Sequence, residues 1–132
     1  MRALTKLSRD TRGQALVEFA LILPLVILLL MAIFEFGSIF HSYLVITNAS
    51  RDGARIGIVG EYTDEEDLKQ KVKDMCAALD QSEITVDVNS DSVLRRMQVQ
   101  VTYKVHPFTP VLSAILPDPV VLKSKTTMRI ES

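Results

Sequence analysis

The sequence predicts an α+β protein in which one long N-terminal helix crosses a membrane and continues into a small domain with a second helix and a three-stranded antiparallel sheet. An uncharged apolar run from Phe19 to Phe34 is typical of a membrane-spanning helix. Three later segments alternate apolar and polar residues, as half-buried strands do, and they lie near residues 84–88, 97–105 and 120–130. Helical and strand segments are therefore segregated along the chain, which favours the α+β class.

The apolar run defines the predicted membrane segment and its direction. A helix from Gln14 to Glu35 is about 30 Å long, which matches the hydrocarbon core of a bilayer. Residues 1–13 contain four basic residues and one acidic residue, a surplus of +3, and since the whole chain carries −1, the remainder carries −4. The positive-inside rule therefore predicts a single-pass membrane protein with its N-terminus in the cytoplasm and its C-terminal domain outside.

A cleavable secretory signal would share the basic start and the apolar stretch. Three features argue against it. The apolar run exceeds the usual length, Glu18 interrupts its start, and no small-x-small cleavage site follows before the polar residues begin. We therefore expect the span to be retained in the membrane.

Four segments follow from these boundaries. Residues 1–13 form a basic cytoplasmic leader, and residues 14–36 form the transmembrane helix. Amphipathic spacing then predicts that residues 37–58 continue the helix outside the membrane. Residues 59–132 form the predicted extracytoplasmic α+β domain.

The outer domain begins with a second predicted helix. Thr63 and Glu66 have the spacing of a capping box, and an apolar stripe follows at helical intervals, comprising Leu68, Val72, Met75, Cys76 and Leu79. We expect the turn between the first two strands at Asn89–Ser92. An apolar loop with one short helical turn, Phe108–Leu116, should connect the second strand to the third.

Glu18 is the most informative residue, because a carboxylate within an apolar helix costs about 2.5–3.5 kcal/mol near the bilayer centre and less near the interface. An interfacial glutamate that snorkels to water is one interpretation. The alternative is a charged partner. A basic leader and Gly13 precede it, with four residues between Gly13 and Glu18, and Phe19 follows it directly.

This arrangement resembles the processing site of type IV pilins and pseudopilins of the tight-adherence (Tad, or Flp) class. The resemblance implies that a prepilin peptidase cuts between Gly13 and Gln14 on the cytoplasmic face. It also implies that Glu18 and Phe19, the fifth and sixth residues of the mature chain, are determinants of assembly. The new α-amine of Gln14 could then meet the carboxylate of a neighbouring helix, so that one contact offsets two desolvation costs.

A stripe of small residues follows the span at four-residue intervals, at Ala49, Gly53 and Gly57. Glycine within a helix costs about 1 kcal/mol relative to alanine unless a close neighbour offsets the loss. We therefore expect a sheet or another helix to pack against this stripe.

Two segments in this region resemble TadE-like proteins, namely Glu35-Phe36-Gly37 after the span and Arg51-Asp52-Gly53-Ala54-Arg55 further on. With the processing site, the resemblance covers residues 12 to about 58 and implies a pilin-like fold and a TadE-like minor pilin or pseudopilin. The predicted packing and contact residues are Ala49, Arg51, Gly53, Ala54, Arg55 and Gly57. For Arg51 and Arg55 two interpretations stay open: a solvated face with Asp52 paired to Arg55, or a contact with a subunit or the membrane surface.

Other functional classes find little support in the sequence. A net charge of −1 and a pI near 6.1 argue against nucleic acid as a partner. His41 and His106 have no acidic or thiol neighbours at metal-ligand spacing, and neither a phosphate-binding loop nor a nucleophile motif is present. Cys76 is the single cysteine, so it is either a buried structural thiol or part of an intermolecular bridge.

The sequence therefore predicts a protein that is not an enzyme and needs no cofactor. Its expected partners are membrane lipid, a prepilin peptidase, other pilin-like subunits and pilus assembly proteins. One alternative is an unprocessed, single-pass membrane-anchored binding module with an extracytoplasmic domain. Another, a membrane-tethered hydrolase, would require a site that no motif indicates.

Overall fold

The computed structural model describes residues 11–129. The predicted α+β class is confirmed, with one long apolar helix, a second helix and a three-stranded antiparallel sheet. Residues 1–10 of the predicted leader, and Ile130 at the end of the predicted third strand, lie outside the described residues. In chain order the elements are α1 (Thr11–Val59), α2 (Glu65–Met75), a 3₁₀ turn (Gln81–Glu83), β1 (Ile84–Asp91), β2 (Arg96–Val105), α3 (Pro110–Ile115) and β3 (Val120–Arg129).

The chain divides between Phe34 and Glu35 into two compact units. In the first unit, the described side chains from Gly13 onward are exposed except for Ala32, which is half-buried. Within residues 11–129, α1 is the one helix that is long and apolar enough to cross a membrane. Its uncovered apolar surface suits a membrane anchor, because lipid would then cover it.

The second unit is organised around one face of α1. Ile46, Ala49 and Ala54 are buried on this face, and each is at most 2 % exposed. The same core contains Leu68 and Val72 of α2 together with Met97, Val99 and Val101 of β2. Because β2 places every second side chain on the same face, its alternating sequence supplies one apolar face for this core.

The sheet is a simple antiparallel meander in the order β1-β2-β3. Val86 lies opposite Val101, and Val88 lies opposite Val99. On the other side of β2, Val101 lies opposite Ser124. Apolar side chains therefore meet across the β1–β2 pair, whereas β3 brings a small polar side chain to the same core.

The first hairpin turn lies further along the chain than predicted, so the predicted position at Asn89–Ser92 is wrong. Strand β1 continues to Asp91, and the turn occupies residues 92–95. The Asp91 carboxylate accepts the backbone N–H groups of Val93 and Leu94, both at 3.0 Å. Polar residues favour turns locally, but here pairing with β2 keeps them in the ladder and moves the turn outward.

Helix α2 starts one residue later than the predicted capping box. Asp64 is the N-cap, and its Oδ1 accepts the N–H of Asp67 at 2.8 Å. In return, Asp67 Oδ2 accepts the N–H of Thr63 at 3.0 Å. The predicted pairing of Thr63 with Glu66 is therefore wrong by one position, because aspartate is a stronger N-cap than threonine.

The connection between β2 and β3 contains the expected helical turn, α3, and we call residues 106–118 the α3 loop. His106 Nδ1 lies 2.9 Å from Asp118 Oδ1, so the two ends of the loop meet. Thr109 and Leu112 are buried at 4 % and 6 % exposure and fix the loop to the domain. The apolar side chains of Phe108 and Ile115 are instead exposed.

Candidate functional site

The residues of the predicted processing site lie at the beginning of α1. The Gly13–Gln14 peptide bond is in the first turn of the helix as the structure describes it. Glycine is a poor helix former, about 1 kcal/mol less favourable than alanine, so the turn at Gly13 opens at less cost than a turn without glycine. A protease could therefore reach an extended backbone here without unfolding the apolar segment.

Glu18 is exposed, and Gln14 contacts it within the same helix. Gln14 Nε2 donates a hydrogen bond of 3.0 Å to Glu18 Oε1. A carboxylate has about four acceptor positions, so this amide occupies a small part of its capacity. Phe19 beside it is 61 % exposed. On the surface of α1, Glu18 thus offers a carboxylate that can accept from a cation, and Phe19 offers an aromatic ring against which another helix can pack.

The small-residue stripe of α1 lies against α2 and β2. A Cβ atom built on Gly53 would lie 2.3 Å from Val72 Cγ2 and 3.4 Å from Val99 Cγ1. A Cβ atom on Gly57 would lie 2.6 Å from Met97 Cγ. Such short separations mean that neighbouring elements approach α1 more closely at these positions than a side chain would allow.

The other predicted contact residues divide between the inside and the outside of the domain. Ala49 and Ala54 are buried in the core. Arg51 and Arg55 are exposed, and within residues 11–129 no ion pair joins Asp52 to Arg55. Both guanidinium groups are therefore open to water or to a partner.

Glu35 is a buried carboxylate that sequence reasoning did not select as a site residue. It is 3 % exposed, its Oε1 accepts the backbone N–H of Phe108 at 2.7 Å, and its Oε2 accepts the Thr109 hydroxyl. The sequence marks Glu35 only as the polar end of the apolar run, because both partners lie more than 70 residues further along the chain. This carboxylate ties the start of the α3 loop to α1.

Among the described residues, every buried polar side-chain atom has a hydrogen-bond partner. Ser50 Oγ donates to the carbonyl oxygen of Thr47 at 3.0 Å. The same oxygen lies 3.1 Å from Ser124 Oγ and 2.8 Å from Thr126 Oγ1, and in each of these pairs either hydroxyl can be the donor. Cys76 is free and buried, and desolvation raises the pKa of its thiol. In the part of the chain that the structure describes, no three His, Cys, Asp or Glu residues are grouped as metal ligands.

Comparison with protein families gives one match. The model of the family described as TadE-like protein matches residues 13–55. This range includes Glu18 and both segments on which the resemblance was based, and it ends at Arg55. Neither the curated proteins nor the solved structures compared with the chain give a match.

Proposed function

We propose that the chain is a TadE-like minor pilin or pseudopilin of a tight-adherence pilus system and that a prepilin peptidase matures it. The match of residues 13–55 to the model of TadE-like proteins supports this proposal. Hydrolysis of the Gly13–Gln14 bond leaves a carboxylate on Gly13 and a new α-amine on Gln14. The mature chain stays in the inner membrane, with its N-terminus on the cytoplasmic side and its domain outside. It acts by association with other pilin-like subunits and assembly proteins, and not by catalysis.

The observation that carries this proposal is the exposed carboxylate of Glu18 at the head of an uncovered apolar helix. Gln14 precedes it by four residues, or about 6 Å along a helix. Within one chain the Gln14 amide is a neutral donor to this carboxylate. A charged amine from a neighbouring subunit would stabilise the ionised carboxylate in lipid more strongly, since charge-assisted hydrogen bonds are about twice as strong as neutral ones.

Processing is tested by the intact mass of the protein recovered from its native membrane. We expect a chain that begins at Gln14 in cells with the peptidase and at Met1 in cells without it. Gly13→Ala should block the cut while leaving membrane insertion unchanged. Gly37→Ala is the matched control, because a Cβ atom there meets nothing within 4 Å. A chain that still begins at Met1 in cells with the peptidase would instead support the unprocessed binding module.

Assembly is tested at Glu18 by removing its charge and keeping its shape. Glu18→Gln should reduce copurification with pilin-like subunits, because a neutral amide cannot neutralise a neighbour's α-amine. The exposed Glu61 provides the control, Glu61→Gln, which removes one negative charge from the outer domain. Equal copurification of the Glu18→Gln variant and the native chain would contradict the pairing role.

A further inference from the structure

Between its polar ends, His106 and Asp118, the α3 loop presents an uncharged and largely apolar surface. Phe108 is 76 % exposed and Ile115 is 77 % exposed, and residues 107–117 contain no charged side chain. We propose that Phe108 and Ile115 insert into the outer interface of the lipid bilayer, so that the loop is a second membrane contact. This inference rests on the proposed membrane anchor, and it is independent of processing and of pilus assembly.

The position of the loop follows from its contact with Glu35. This residue comes directly after Phe34, the last residue of the apolar run, so a helix that spans the bilayer over this run brings Glu35 to the outer boundary. Glu35 Oε1 is 2.7 Å from the backbone nitrogen of Phe108. The backbone of Phe108 is therefore within one side-chain length of the residue that directly follows the apolar run.

The polar groups at this contact are already satisfied. The Glu35 carboxylate accepts the Phe108 N–H and the Thr109 hydroxyl, so insertion of the neighbouring apolar side chains desolvates no unpaired donor there. Leu112 and Thr109 are buried and hold the loop in shape. The exposed side chains can enter the interface without reordering of the backbone.

Lipid suits this surface better than a second copy of the chain does. A stable protein interface buries about 800 Å² on each partner, with a polar rim around its core. Two separate apolar side chains around a six-residue helix offer much less than that. Lipid requires no complementary shape, and the adjacent anchor already holds the loop at the membrane, which raises its effective concentration there.

The chain contains no tryptophan, so a single introduced tryptophan reports on one position. We would reconstitute the full chain as Phe108→Trp, Ile27→Trp and Val93→Trp in phosphatidylcholine vesicles, with and without bromine on the acyl chains. Ile27 lies inside the apolar run, and Val93 lies in the turn at the opposite end of β2 from the α3 loop, about 33 Å along the strand. All three side chains are exposed, so these substitutions leave the core intact.

Brominated lipid should lower the emission of the Phe108→Trp variant about twofold, because interfacial side chains lie some 5–10 Å deep. Stronger quenching is expected for Ile27→Trp and none for Val93→Trp. Quenching of Ile27→Trp without quenching of Phe108→Trp would overturn the proposed loop contact and leave the anchor standing. If the Phe108→Trp variant is quenched less by brominated lipid as the protein-to-lipid ratio rises, a second copy of the chain covers the loop, and the proposed lipid contact is overturned. Absence of quenching in Ile27→Trp would reject the anchor itself.

Discussion

Replacing Gly53 with alanine should destabilise the outer domain, although alanine is the better helix former by about 1 kcal/mol. The new Cβ atom would lie 2.3 Å from Val72 Cγ2 and 3.4 Å from Val99 Cγ1. Both valines are fully buried, and a β-branched side chain has few rotamers with which to move away. Overpacking costs about 1–3 kcal/mol, and so short a separation belongs in the upper part of that range, at about 2–3 kcal/mol. After the gain of about 1 kcal/mol in helix propensity is subtracted, a net loss of roughly 1–2 kcal/mol is expected.

The loss can be measured through Cys76, which is the only cysteine of the chain and is buried. In detergent micelles, a fluorogenic thiol reagent should label it when the outer domain unfolds on heating. A loss of about 1–2 kcal/mol should lower the unfolding midpoint of a domain of about 100 residues by roughly 4–16 °C. Circular dichroism of the same samples would show that labelling follows unfolding of the domain.

Two other glycines of α1 provide graded controls. Gly37→Ala should leave the midpoint unchanged or raise it, because a Cβ atom there meets nothing within 4 Å. Gly57→Ala should fall between the two, because its neighbour is the flexible side chain of Met97. A Gly53→Ala variant as stable as the native chain would refute the close approach of α2 to α1.

Three further outcomes concern hydrogen bonds, thiol chemistry and pH. Glu35→Ala should accelerate hydrogen exchange at Phe108 and cost about 1–3 kcal/mol, because the part-buried Phe108 N–H and the buried Thr109 hydroxyl lose their acceptor. Glu35→Gln should cost less, since it keeps an oxygen acceptor. Cys76 should resist thiol reagents near neutral pH in the native chain, since burial raises its pKa, and should react after denaturation. The hydrogen bond from the Thr63 backbone N–H, and after it the one from the Lys71 ammonium group, lower the pKa of Asp67 below the ordinary 3.8. The ionised Asp67 carboxylate therefore stabilises α2 fully above pH 3.8, and this stabilisation is lost as the pH falls through the lower pKa of the folded state. Helix content should then resist acid better in the native chain than in the Asp67→Asn variant, and equal resistance would contradict this prediction.

Alternating sequence was enough to predict the three strands, because one face of β2 is buried at Met97, Val99 and Val101. The errors occur where two local signals compete. The polar residues near Asn89 favour a turn locally but pair with β2 instead. The N-cap of α2 is Asp64 and not the predicted Thr63. Periodicity is a property of a whole element, whereas its ends depend on single hydrogen bonds.

The site residues divide in the same way. The spacing of Gly13 and Glu18 is visible in the sequence, and the assigned processing and pairing roles stay predictions. Gly53 within a helix indicates a close neighbour, but the sequence does not identify this neighbour as Val72. The partners of Glu35 have no signal at all, because helical and strand periodicities carry no information about a loop more than 70 residues away.

The Glu35 contact also determines how the outer domain would carry a load. The domain is fastened to α1 at Glu35 by side-chain hydrogen bonds, and the chain leaves this helix at Val59, about 36 Å further along its axis. Between these points, the helix packs against the core along much of its length. A force applied along the helix axis would thus load these noncovalent contacts in shear and all at the same time. It would not break them one after another. Such an attachment lets the helix pull the domain as a single mechanical piece.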